Sequence, residues 1–154
     1  MSNLLVIMSG IPGSGKSTYV RENYPDAVVC SADDYFTDSQ GHYFFQGNKL
    51  NKAHLECKMN FVTAIGQSKP LIVVDNTNLN WRETGDYVET GLEAGYNVLV
   101  VRLLVEPEVA ASRNVHGVPA EAINRMSAKT LVFPVNVIKN PMFELVRVNK
   151  EETK

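Results

Sequence analysis

Cysteine is scarce in this chain. Cys30 and Cys57 are the only two in 154 residues, and their spacing matches no metal-ligand pattern. There is no N-terminal apolar segment with signal-peptide layout and none of spanning length. A reduced, soluble, cytoplasmic protein with no membrane partner is the expectation. Basic residues give no excess either: 15 Lys and Arg against 17 Asp and Glu leave a formal net charge of -2. That balance argues against a protein that coats long nucleic acid through a broad basic face, so any polyanionic substrate must be gripped locally, at an end. Linkers, repeats and low-complexity tracts are missing. With 44% hydrophobic content over 154 residues, the chain can build one domain with a proper core but hardly two, so residues 1–154 read as a single domain.

What is present is concentrated in one stretch, "SGIPGSGKST" at residues 9–18, directly after the apolar "NLLVIM". The pattern Gly10-x-x-x-x-Gly15-Lys16-Ser17 is a complete phosphate-binding loop in the right context, strand before and helix after. Gly10, Gly13 and Gly15 let the backbone curl so that successive N–H groups point at nucleotide phosphate oxygens, with Pro12, Ser14 and Thr18 completing the cradle. Lys16 would reach the β and γ oxygens, Ser17 would ligate Mg²⁺, and the positive helix end adds attraction.

Around this loop the chain alternates. Residues 3–9, 26–31, 70–75 and 96–105 are short runs rich in Val and Ile, suited to strands buried on both faces of a parallel sheet. Residues 16–24, 49–66, 81–94 and 107–113 read as helices, another begins at Pro119, and "FELVRVN" is a fifth strand. The expectation is an α/β fold, a doubly wound parallel sheet with helices on both faces, and a ligand outside the carboxyl ends of the strands.

Strand ends are therefore where chemistry is sought. The second strand ends in "SADDYF", which puts Asp33 and Asp34 at the rim. One of them could orient an acceptor hydroxyl and take its proton, with the other as a structural partner; capping a turn is the plainer role for either. The third strand ends in "LIVVDNTNLN", where Asp75 would hold Mg²⁺ directly or through water. Asn76, Thr77 and Asn78 either touch an acceptor or form an Asx-type turn into the helix near Trp81. Arg113, at a helix end beside a Gly-containing loop, would close over a γ-phosphate as part of a lid at residues 113–118, or would simply complement the helix dipole. Arg125, in series with Glu121 and Lys129, reads as a solvated face. His54 and Cys57 lie three apart on one helix, and His54 is a candidate acceptor contact beside Asp34 and Tyr35. His42 reads as a loop residue. "GNKLN" comes too early and lacks the aspartate of a guanine-reading motif.

In this order and at these separations, "GIPGSGKST", "SADDYF", "DNTNLN" and "SRNVHGVPAEAINRM" resemble the phosphate-loop kinases related to polynucleotide 5′-hydroxyl kinase. The segment "GHYFFQGNKLNKAHLECKMNF" is similar to the kinase-like modules of animal cyclic-nucleotide phosphodiesterase. The resemblance spans roughly residues 4 to 130. It implies ATP and Mg²⁺, Asp33 as the catalytic aspartate, Arg113 as a lid arginine, and a nucleic-acid end or nucleotide-like acceptor. Two departures stand out. The lid has His116 where the family is richer in arginine, and Phe36 stands where the phage enzyme has a substrate-contacting arginine. Alternatives are a kinase acting on another hydroxyl, such as a hydroxymethyl group on a modified base or a nucleoside, and an ATP-binding module without catalysis.

Overall fold

The computed structural model describes residues 3–113, 118–129 and 142–147. Its central element is β1 (Leu4–Ser9), in which Leu5, Val6, Ile7 and Met8 are all fully buried. Burial on both sides is what a strand flanked by helices above and below requires, and each such side chain contributes roughly 1.5–3 kcal/mol. Alternation sorts them. Leu5 and Ile7 join one core cluster, with Phe61 and Tyr87, while Val6 and Met8 join another, with Val20.

The helices follow from this division. The first, α1 (Lys16–Asn23), lays Val20 on the Val6 face. On the opposite face, α2 (Leu50–Gly66) buries Ala53, Cys57, Phe61 and Ala64, and α3 (Trp81–Glu93) buries Tyr87 and Val88. The remaining strands are β2 (Val28–Cys30), β3 (Leu71–Asp75), β4 (Asn97–Leu104) and β5 (Met142–Arg147). The order is β2-β3-β1-β4-β5 and every pairing is parallel. The doubly wound sheet with helices on both faces is thus the fold.

That order brings the informative strand ends together. The chain winds outward from β1 to β2 and back through β3, then crosses to β4 on the other side of β1. The loops after β1 and β3 therefore leave the sheet side by side, at the switch point where open α/β sheets bind ligands. Register fixes the match closely, since Met8 pairs with Asp75.

The second strand is shorter than the run at 26–31 suggests. After Cys30 the chain turns into a 3₁₀ segment, Ala32–Phe36, whose N-cap Ser31 accepts a hydrogen bond from the Asp33 amide. Capping competes with strand extension there, as Ser side chains do at turns. Beyond β4, α4 (Pro107–Ser112) and α5 (Ala120–Lys129) pack together through Ala110 and Ile123 and reach Ile11 of the glycine loop. Glu121 and Arg125 are exposed on α5, as a solvated face requires. Among the described residues no helix is long and apolar enough to cross a membrane.

Candidate active site

Between β1 and α1 the backbone turns through two left-handed glycines, Gly13 at φ 81° and Gly15 at φ 96°. A β-carbon on Gly13 would also lie 2.0 Å from the Ala110 carbonyl oxygen, so this position excludes any side chain twice over. Gly41 shares the conformation, at φ 85°, but has open space around it. Gly13→Ala should therefore destabilise the protein by more than the about 1–3 kcal/mol of backbone strain alone, and by more than Gly41→Ala. Urea unfolding of both variants measures the difference; equal losses would mean that the approach of α4 to the loop is not tight.

The loop's side chains converge. Lys16 donates from Nζ to the carbonyls of Gly10 at 3.0 Å and Ile11 at 3.1 Å. Desolvation by surrounding protein lowers its pKa, against the opposing pull of the Asp75 and Asp33 carboxylates. Ser17 donates from Oγ to Asp75 Oδ2 at 3.0 Å. A hydroxyl beside a nearly buried carboxylate at a strand end is an oxygen pair suited to a hard divalent cation. Among the described residues there is no cage of three or more His, Cys, Asp or Glu, so such a cation would take its other oxygens from phosphate and water.

Among the described residues, Ser14 Oγ and Arg113 Nη1 are buried beside this loop without a hydrogen-bond partner. Arg113 caps the end of α4, yet its guanidinium turns to the loop: a β-carbon built on Gly15 would lie 3.5 Å from Nη2 and 3.6 Å from Nη1. Buried unpaired donors are costly and rare. An anionic group over Gly15 would satisfy the Arg113 donor, and nucleotide phosphate fits that requirement. Of the lid span at 113–118, Arg113 and Val118 are described, Val118 packing with Ile11, Ala110 and Ile123; His116 lies outside the described residues.

Asp33 and Asp34 sit in the 3₁₀ segment after β2. The Asp33 carboxylate accepts from the Tyr43 hydroxyl at 3.1 Å. Burial, reinforced by Asp33, raises the pKa of that hydroxyl and keeps it a donor. The Asp34 carboxyl is pushed up by burial first, then by the charges of Asp33, Asp75 and Glu56. Lys16, Asp33, Asp34 and Asp75 thus form one electrostatic group.

The other candidates divide. Asn76 is a brace, its Oδ1 accepting from the Ala32 amide at 2.8 Å and its Nδ2 meeting Cys57 Sγ at 3.4 Å. Thr77 donates to Glu83 at 3.3 Å, and its carbonyl accepts from the Gly10 amide at 2.9 Å. Asn78 is buried, at φ 44°, with its amide on the Met8 carbonyl at 2.7 Å. Its side-chain amide and its carbonyl are engaged with the scaffold. The helix after it is capped by Asn80, whose side chain accepts from the Glu83 amide. On α2, Cys57 is buried while His54 is exposed, so the two do not share a face. Tyr35 is half-buried beside Phe36, rings 5.2 Å apart.

Two residues in the site's frame escape a reading of the sequence. Arg102 is buried in β4, donating from Nε to Ser9 Oγ at 3.2 Å and from Nη2 to the Leu79 carbonyl at 2.9 Å. It ties the entry of the glycine loop to the exit of β3, and burial brings its pKa down to about 10. A lone charge inside "NVLVVRLL" was its signal. Tyr43 carries no such signal.

Fold and loop together define a P-loop kinase fold. A family model described as an AAA domain matches residues 5–130, and the chain belongs to that family. It is 37% identical over 130 residues to NEDD4-binding protein 2 of Homo sapiens, covering 80% of this chain and 7% of that protein. To YLP motif-containing protein 1 of Mus musculus it is 24% identical over 162 residues, covering 88% and 12%. The chain thus spans a small fraction of the length of these relatives. Among solved structures, a chain of the Pnkp1/Rnl/Hen1 RNA repair complex aligns with a TM-score of 0.66 at 22% identity, over 84% of this chain and 44% of that one. Kti12 of Chaetomium thermophilum, in complex with ADP-AlF3, aligns at 0.60 and 13% identity, over 97% and 93%. A gluconokinase from Sinorhizobium meliloti aligns at 0.55 and 17% identity, over 97% and 83%. The resemblance read from the motifs, to P-loop kinases of the polynucleotide kinase-like kind, is borne out in family and fold.

Proposed function

We propose that this chain is an ATP- and Mg²⁺-dependent kinase that transfers the γ-phosphoryl group to a nucleic-acid hydroxyl, with the 5′-hydroxyl end of DNA or RNA as acceptor. The observation that carries the reading is the unpartnered, buried Nη1 of Arg113 over Gly15, a donor held ready for a transferring phosphate. Residues 10–18 bind the nucleotide, and Ser17 and Asp75 hold the cation, which neutralises charge on the phosphates when bound. Asp33 orients the acceptor hydroxyl and takes its proton as that oxygen bonds to the γ-phosphorus and the bond to the departing ADP oxygen breaks. Asp34, Tyr35, Asn76 and Thr77 border the acceptor's approach. Residues 1–154 serve as one kinase domain. The likeness to the RNA repair complex supports the choice of acceptor.

Transfer of labelled phosphate from ATP to a panel of hydroxyl acceptors tests the reading. A chain of net charge -2 can neutralise few phosphates, and each contributes roughly 0.7 to the slope of log affinity against log salt for single strands. Two or three contacts give a slope of about 1.5–2, and short oligonucleotides should serve nearly as well as long ones. A much steeper slope, or label on an internal base or free nucleoside alone, would reject the 5′-end assignment. ATP binding without any phosphorylated acceptor would reject catalysis.

A further inference from the structure

We propose that the acceptor's terminal nucleobase stacks on Phe44, in a cleft beside Asp33 that selects base-bearing acceptors over small polyols; the inference rests on the nucleic-acid reading above. The cleft, of about 300 Å³, is lined by residues that include Tyr35, Phe36, Phe44, Gln46 and Lys49. Its lining begins two residues beyond Asp33 in the chain. Tyr35 and Phe36 follow Asp33 in one 3₁₀ segment. The loop that carries Phe44 also carries Tyr43, whose hydroxyl reaches Asp33.

That loop is firmly built. Asp38 Oδ1 accepts from the amides of Gln40 at 2.8 Å and His42 at 2.9 Å. The Asp38 amide donates to the His42 carbonyl at 2.9 Å, the Phe44 amide to the Phe36 carbonyl at 2.7 Å, and Thr37 bridges to Tyr43. Phe45 stacks edge-on against Phe36 at 5.1 Å. Phe44 is nevertheless 61% exposed, with the exposed His42 ring 6.3 Å away. A phenyl ring carried on a hydrogen-bonded backbone in the lining of a cleft, and left in water, offers a face to a flat apolar partner. Every nucleobase offers such a face, whatever its sequence. The lining carries one charge of each sign, Lys49 and Asp38, and the half-buried Lys49 is the one to meet an adjoining phosphate. A sugar acid or polyol has no π-face to offer Phe44.

The test compares a short 5′-hydroxyl oligonucleotide with the same strand lacking its 5′-terminal base. KM and kcat are measured for phosphoryl transfer by the 154-residue chain, and Kd separately with Mg²⁺ and a non-hydrolysable ATP analogue. Phe44→Ala should raise KM and Kd for the base-bearing strand about 5- to 150-fold, move kcat less, and leave the abasic strand's values in place. Phe44→Tyr should restore binding. Equal effects on both strands, or none, would overturn the proposal. The two readings fail separately. No transfer to any 5′ end, with Kd still dependent on base and Phe44, removes the kinase assignment and keeps the base site. Transfer that is indifferent to Phe44 does the reverse, and loss of both removes both.

Discussion

Lys16→Ala is expected to lower phosphoryl transfer by at least about 10²–10³-fold, the loss typical of removing one preorganised donor from developing charge, while the protein stays folded. The Lys16 ammonium donates to the Gly10 and Ile11 carbonyls. These bonds must be exchanged for phosphate oxygens when nucleotide arrives. Removing the side chain forfeits two partly buried hydrogen bonds, each worth about 0.5–1.5 kcal/mol, but also relieves the desolvation that lowers the Lys16 pKa. The two effects oppose, so thermal unfolding should shift little. Lys16→Arg keeps the charge in a planar fork and should recover little activity, because the compact ammonium is what fits between the carbonyls. Parent-like turnover in Lys16→Ala would sink the assignment of the loop to transfer, and collapse of the fold would show that the lysine serves the scaffold.

The fold was legible because its signals are redundant: β1, β3 and β4 are Val- and Ile-rich runs buried on both faces, and the glycine loop fixes where β1 ends and α1 begins. The glycine loop and Asp75 were legible for the same reason, since each sits at a strand's carboxyl end. The polar run after Asp75 was not. Asn76, Thr77, Asn78 and Asn80 are chemically alike, and only three-dimensional placement decides that Asn76 braces Ala32, Asn78 is buried against β1 and Asn80 caps α3. His54 and Cys57 misled in a related way: a spacing of three places residues on neighbouring strips of a helix, and the core boundary falls between them. Tyr43 was beyond reach, because ten residues separate it from Asp33 and the intervening turn depends on Asp38 binding the amides of Gln40 and His42.

Asp33→Asn should reduce acceptor phosphorylation about 10²–10⁴-fold, the range for loss of a general base, with little change in ATP affinity. The substitution keeps the shape and the Tyr43 contact within reach but cannot accept the acceptor's proton. Asp34 provides the internal control. Its carboxyl, pushed up by burial and by the charges of Asp33, Asp75 and Glu56, binds its proton more tightly in the folded protein than in the unfolded chain. Its effect on stability therefore has a definite sign: full benefit below the unfolded pKa, lost as pH rises through the raised folded value. Asp34→Asn should accordingly stabilise the protein at neutral pH relative to the parent, with the advantage shrinking in acid, and should cost far less transfer than Asp33→Asn. Thermal unfolding between pH 3 and 8 (roughly the span over which carboxyls of this kind titrate) and single-turnover transfer at neutral pH separate the two roles. Tyr43→Phe removes the hydroxyl that holds Asp33 and should fall between them, lowering kcat without altering the KM for ATP. If Asp34→Asn carries the large loss and Asp33→Asn does not, the proton acceptor is Asp34, and the acceptor hydroxyl approaches from the Glu56 side of the site and not from Tyr43.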